Sequence, residues 1–192
     1  MFKIALAQTR VHPGNPRQNA AIMKDFIAKA KAAHCDIVVF PELSIPGYFI
    51  GDIWDQPDYI DECVRFGDEI RDLSQGIAII FGNVAKETDR VNLDGRTRKY
   101  NAMFIAYNGK WLSPARSPYP FYIKTLLPNY REFSDIRYFT SLIEVAQERT
   151  PSRKTSCRRS RFPSTTAASS ASGPSSAKTA GMKTIPSNRC TT

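Results

Sequence analysis

Apolar and polar positions alternate over residues 2–8 (FKIALAQ), and a run this apolar predicts a strand near the middle of a sheet. The HPGNP that follows is a turn, and Asn15 is placed to cap a helix entered through Pro16. Within that helix Ala20, Met23, Phe26, Ile27 and Ala30 recur at helical spacing, the stripe that a helix buries against a core. Residues 35–40 (CDIVVF) are a short continuous apolar run, as in strands covered on both faces. The run ends at Pro41-Glu42, so a β-α-β start carries Glu42 just past the carboxyl end of a strand, where open α/β sheets bind ligands. A solvated strand-end glutamate and a functional one both fit that position.

Residues 43–55 combine Pro46-Gly47 with Tyr48, Phe49 and Trp54, as in a loop that lines a pocket or one packed by its own aromatics. Over residues 57–74, Tyr59, Cys63, Phe66, Ile70 and Leu73 repeat at helical spacing, and Asp58, Asp61 and Glu62 complement the dipole near the start. This helix reads as scaffold. Residues 76–83 (GIAIIFGN) are a further buried strand. Residues 84–99 are polar and charged around Asp94-Gly95 and predict an exposed hairpin or loop. Residues 100–107 (YNAMFIAY) form a strand that Asn108-Gly109 joins to residues 110–112 in a hairpin. Prolines at 114, 118 and 120 exclude regular strand over residues 113–120. Residues 120–139 (PFYIKTLLPNYREFSDIRYF) then set one basic side chain, Lys124, among aromatic and apolar residues. Such a lysine either carries its ammonium out to water or keeps it in a polar site.

Charge divides the chain in two. Residues 1–148 hold 18 Lys and Arg against 18 Asp and Glu, whereas residues 149–192 hold 9 Lys and Arg and no acid, so the whole formal charge of +9 lies in the tail. The 42% hydrophobic content suffices for the core of one ordinary domain. The tail has no Leu or Val and is filled with Ser, Thr, Ala, Pro and Arg, a composition that predicts disorder. Its charge suits nucleic acid, yet it lacks aromatic interleaving, RGG repeats and helical periodicity, so nucleic acid is not an expected partner. The amino terminus has no secretory pattern and no apolar run reaches membrane-spanning length. Four cysteines without CxxC spacing or a neighbouring histidine pattern argue against zinc and for a reduced, cytoplasmic protein.

The ordered set FKIALAQ, IVVFPELSIPGY, GIAIIFGN, YNAMFIAYNGKW and KTLLPNYREFSDIRYF resembles the nitrilase (carbon-nitrogen hydrolase) superfamily. Within it, LPNY followed by Phe133 and the RYF of residues 137–139 is most similar to the N-terminal glutaminase domain of glutamine-dependent NAD synthetases. The resemblance covers residues 1–148. It implies an α/β fold, the nitrilase-like αββα sandwich in incomplete form, and a Glu-Lys-Cys hydrolase that attacks the side-chain amide of glutamine. Glu42 matches the general base and Lys124 the lysine that stabilises the oxyanion. Tyr48, Tyr130 and Phe133 match residues lining the glutamine pocket, and Asp135 stands, one methylene shorter, where the family has a second glutamate. The chemistry agrees: a thiol needs a positioned base, and charge developing on oxygen needs a fixed cation. The hydrolase domain implies no cofactor or metal. ATP and magnesium belong to a synthetase domain, fused in cis in the family and absent here, and the complete protein is expected to be a homo-oligomer. The alternatives are an inactive nitrilase-like fragment or binding module, or a carbon-nitrogen hydrolase for another amide.

The nucleophile is missing. The resemblance calls for a Cys-Glu-Asp-x-Trp motif beyond residue 139, and the chain has none. Cys35, beside a strand, and Cys63, on a helix, read as core thiols. Cys157 lies among Arg158, Arg159 and Arg161, with nothing there to hold it in place. Read one base out of frame, however, residues 176–191 can be recoded within codon degeneracy to begin Cys-Glu-Asp-Gly-Trp, with the cysteine at the junction of Ser176 and Ala177. A frame change near codon 149 is therefore expected. Without the strands that follow residue 139, the sheet is expected to expose apolar edges and faces and the chain to be poorly soluble or partly unfolded.

Overall fold

The structure, a computed structural model, describes residues 1–92, 94–115 and 117–149. The segment from residue 150 on, with the expected disorder, the frame change, Cys157 and Cys190, lies outside the described residues.

Local chemistry fixes the helices. Helix α1 (Pro16–Ala32) starts where the Asn15 side chain accepts the Gln18 N–H at 3.1 Å, with proline in the first turn and Lys29 and Lys31 in the last. Helix α2 (Pro57–Asp72) likewise opens on proline, with Asp58 in the first turn and Arg71 in the last. Their buried residues are the expected stripes: Ala20, Met23, Ile27 and Ala30 on α1, and Cys63, Phe66 and Ile70 on α2.

The strands are β1 (Ile4–Leu6), β2 (Ile37–Val39), β3 (Ala78–Val91), β4 (Thr97–Tyr107), β5 (Lys110–Trp111) and β6 (Tyr122–Ile123). They form one sheet in the order β1-β2-β3-β4-β5, with β6 also pairing to β4. The β1-β2-β3 ladders are parallel and those of β4 antiparallel. A short 3₁₀ turn (Gly51–Asp55) precedes α2, another (Asp135–Arg137) follows β6, and helix α3 (Leu142–Arg149) closes the described chain.

Side chains alternate across a sheet, so register assigns the faces. Val38, Ile79, Phe81 and Phe104 are buried on the helix side, where Asn83 donates to the Cys63 carbonyl of α2 at 2.9 Å. Ile4, Leu6, Ile37, Val39, Ile80, Met103 and Tyr122 face the other way, and Ile4, Leu6, Met103 and Tyr122 are exposed. The described residues thus build one helical layer and one curled sheet of an α/β, nitrilase-like fold, with the second sheet face open.

One sequence expectation changes. Residues 2–8 do not lie near the middle of the sheet, because β1 is its edge among the described residues. Apolar alternation marks a face to be covered, not a central position. Residues 84–99 form the expected hairpin as the far part of β3-β4, exposed over residues 88–91 and buried at its base, where Val84, Ala85, Arg98 and Lys99 are covered. The turn at Asn108-Gly109 is as expected, with φ of +49° and +73°.

Candidate active site

Glu42 is set by the way β2 ends. The chain leaves the ladder after Phe40, whose N–H donates to the Ile80 carbonyl at 2.8 Å, and folds across Gly82 of β3. Gly82 N–H donates to the Pro41 carbonyl at 3.2 Å, while Ser44 returns both its N–H (2.9 Å) and its Oγ (3.1 Å) to the Gly82 carbonyl. A β-carbon at Gly82 would lie 2.3 Å from the Leu43 nitrogen and 2.7 Å from the Glu42 Cα. Leu43 takes φ of +47° in this turn, a strained conformation that its packing in the core holds. Buried Asn19 on α1 ties the same loop down by donating to the Ile45 carbonyl at 2.8 Å.

Lys124 comes from the other side. It follows β6, with its N–H donating to the Asn101 carbonyl of β4 at 2.9 Å and its carbonyl accepting the Leu142 N–H at 3.2 Å. Its ammonium is 2.7 Å from Glu42 Oε1, 3.3 Å from Asp135 Oδ2 and 5.8 Å from the centre of the Tyr48 ring. This is the polar-site alternative of the two open for a lysine among apolar residues. Burial lowers its pKa, but the hydrogen bonds and charges of Glu42 and Asp135 outweigh it and the net direction is up.

Asp135 is buried at the start of its 3₁₀ turn and accepts the Tyr48 hydroxyl at 2.7 and 2.8 Å. Burial first, then this hydrogen bond and the nearby carboxylate charges, push the Tyr48 phenol up. The Tyr48 hydroxyl is thus engaged with protein. Tyr48, Phe133 and Asp135 line a cavity of about 240 Å³ with Trp54 and Phe139. Glu42 and Lys124 line a separate open groove of about 440 Å³ with Ile80, Met103 and Tyr122. Asp135 joins the two, since its carboxylate reaches Lys124. Tyr130 borders neither; it is exposed, with its ring 5.3 Å from that of Phe133.

One participant escaped the sequence reading. Asn101 is buried in β4 and donates from Nδ2 to Glu42 Oε1 at 2.6 Å. The signal was an amide inside the otherwise apolar strand YNAMFIAY, because a buried polar group needs a partner.

The described thiols do not reach this site. Cys35 is buried ahead of β2, and Cys63 is fully buried on α2, where burial above all pushes its thiol up to about 12, the reverse of an activated nucleophile. Among the described residues, no group of three or more His, Cys, Asp or Glu side chains is placed to hold a metal ion. No helix among them is long and apolar enough to cross a membrane.

A family model for carbon-nitrogen hydrolases matches residues 3–121. The chain belongs to the carbon-nitrogen hydrolase family. Among its curated relatives is the glutamine-dependent NAD(+) synthetase of Acinetobacter baylyi, 31% identical over 139 residues, covering 72% of this chain and 23% of that protein. The glutamine-dependent NAD(+) synthetase of Aquifex aeolicus is 31% identical over 140 residues, or 22% of its length. This carbon-nitrogen hydrolase chain therefore spans about a quarter of the length of those relatives. Its structure matches that of glutamine-dependent NAD+ synthetase from Acinetobacter baumannii with a TM-score of 0.60 at 28% identity, covering 73% of this chain and 24% of the other. An amidase from Nesterenkonia sp. shares the fold, with a TM-score of 0.59 at 22% identity, and the match covers 48% of that enzyme.

Proposed function

We propose that this carbon-nitrogen hydrolase chain is the amino-terminal part of a glutamine amidohydrolase domain that supplies ammonia to NAD synthesis. The observation that carries the reading is the 2.7 Å pairing of Lys124 with Glu42 at the rim of the groove, both on backbone locked to the sheet. Identity of 31% to glutamine-dependent NAD(+) synthetases supports glutamine as the amide.

In the complete site, a cysteine thiol entering the groove gives its proton to Glu42, and its sulfur attacks the carboxamide carbon of glutamine. Lys124 takes up the charge that develops on the carbonyl oxygen. Glu42 returns the proton to the departing nitrogen, ammonia leaves, and a thioester remains. Glu42 then draws a proton from water, which attacks the thioester, and passes that proton to the leaving sulfur, so that glutamate departs and the thiol is restored. Asp135 and Tyr48 hold Lys124 from behind. ATP and magnesium would serve only a synthetase domain, fused in cis, that adenylates the NAD precursor.

A second reading is favoured by one observation: neither described thiol lines the groove. The chain as it stands would then be an inactive fragment or binding module. Assaying ammonia release from glutamine by the purified 192-residue chain, alone and joined to a downstream hydrolase segment, separates the readings, because an inactive fragment or binding module stays silent in both. The proposal expects no turnover until a downstream hydrolase segment supplies a thiol. Iodoacetamide-sensitive turnover by the chain alone would show that one of its own cysteines serves.

A further inference from the structure

We propose that Asn101 is a positioning residue that holds Glu42 by Oε1 and so leaves Oε2 as the proton acceptor. The use of that acceptor rests on the amidohydrolase reading; the clamp itself does not.

Asn101 lies in the middle of β4, opposite Val84 of β3 and 3% exposed. Its backbone carbonyl accepts the Lys124 N–H at 2.9 Å, and its side-chain amide donates to Glu42 Oε1 at 2.6 Å. A single strand residue therefore holds both members of the pair. Oε1 also accepts from Lys124 Nζ at 2.7 Å, whereas Oε2 has no hydrogen-bond partner among the described residues. With Oε1 engaged by two donors, Oε2 is the oxygen free to receive a proton.

The lysine alone is a poor clamp. The Glu42 side chain is 48% exposed, and ion pairs with that much water around them fix geometry weakly. Asn101 is buried, neutral and unable to titrate, so its hold on Oε1 persists when pH changes or when Lys124 turns toward an oxyanion. Aspartate at 101 would set a second carboxylate against Glu42, and leucine would offer no donor.

The test reads Lys124 by NMR in the full 192-residue chain, using its side-chain carbon as a spectator. The groups facing Lys124 are Glu42, Asp135 and the Tyr48 ring, and the variants below leave the last two intact. Glu42→Gln is expected to lower the proton affinity of Lys124 by about tenfold, the low end for removal of a neighbouring opposite charge. Asn101→Leu is expected to lower it by roughly threefold or more, because Glu42 drifts toward water. An Asn101→Leu chain in which Lys124 titrates as in the wild type would overturn the proposal.

Should Asn101→Leu fail to fold, the wild-type protein decides. The Asn101 side-chain amide proton is expected downfield and to move upfield in Glu42→Gln; an unmoved resonance would equally overturn the clamp. Neither measurement needs turnover. Failure of the amidohydrolase reading would show instead as absent ammonia release by the chain joined to a downstream hydrolase segment, with both NMR results intact.

Discussion

Gly82 lies directly under Glu42, so close that a β-carbon on Gly82 would stand 2.7 Å from the Glu42 Cα. The neighbours in question are backbone atoms, which cannot step aside as a flexible side chain does. Gly82→Ala is therefore expected to destabilise the chain by about 2 kcal/mol, as overpacking does. It should also displace Glu42 from Lys124. Thermal unfolding measures the first effect, and an unchanged midpoint would contradict it.

Tyr48 gives its hydroxyl to both oxygens of Asp135, a carboxylate only 7% exposed in its side chain. Tyr48→Phe leaves that carboxylate with Lys124 at 3.3 Å as its remaining charged partner. The expected loss is about 1–2 kcal/mol in urea unfolding, the cost of an unsatisfied buried acceptor. Equal stability of the two proteins would mean that water replaces the phenol.

Alkaline pH should weaken the fold. Burial foremost, with carboxylate neighbours, raises the phenols of Tyr48 and Tyr100; burial, with Cys63 and Glu62 nearby, raises Tyr59, and Cys63 itself lies at about 12. In each case the folded-state value exceeds the unfolded one. The stability these groups contribute is complete below the unfolded values, near 9 for a thiol and 10 for a phenol, and is lost as pH rises above them. Urea midpoints at pH 8, 10 and 11 should hold level and then fall, and Tyr59→Phe should flatten the decline. A midpoint that stays level to pH 11 would contradict this.

Arg98, nearly buried in β4, forks onto Glu148 of α3 at 2.6 and 2.8 Å. The paired guanidinium lowers the Glu148 carboxyl, so this contribution is present above the unfolded carboxylate value and is lost as pH falls through the folded one. Glu148 is 43% exposed, which limits the loss on Glu148→Gln to about 1 kcal/mol. Hydrogen exchange over residues 142–149 should speed up in that variant.

The open sheet face carries Ile4, Leu6, Met103 and Tyr122 to solvent. Such a patch favours association. The chain is expected to bind a hydrophobic dye and to self-associate in ultracentrifugation. A dye-silent monomer with a cooperative, reversible melt would count against an uncovered face.

The helices were legible because caps and apolar stripes are local: Asn15, Pro16 and the Ala20 to Ala30 stripe declare α1 unaided. The Asn108-Gly109 turn was legible for the same reason. Glu42 was visible as a carboxylate past a strand end and Lys124 as a lone cation, while their pairing came only through resemblance. What stayed hidden is long-range. The hairpin over residues 84–99 was legible from Asp94-Gly95, but the pairs that seat it, such as Lys86 with Asp61 and Arg98 with Glu148, are not announced by sequence spacing. The division of Tyr48, Phe133 and Asp135 from Glu42 and Lys124 into two cavities likewise depends on how distant loops meet.

The most direct measurement joins this chain, through residue 148, to the downstream hydrolase segment of the Acinetobacter baylyi relative and follows ammonia release from glutamine. The account predicts thiol-dependent turnover that falls about 10²–10⁴-fold in Glu42→Gln and about 10²–10³-fold in Lys124→Ala. A folded, soluble fusion that leaves glutamine intact, or one whose turnover survives Glu42→Gln, would contradict it.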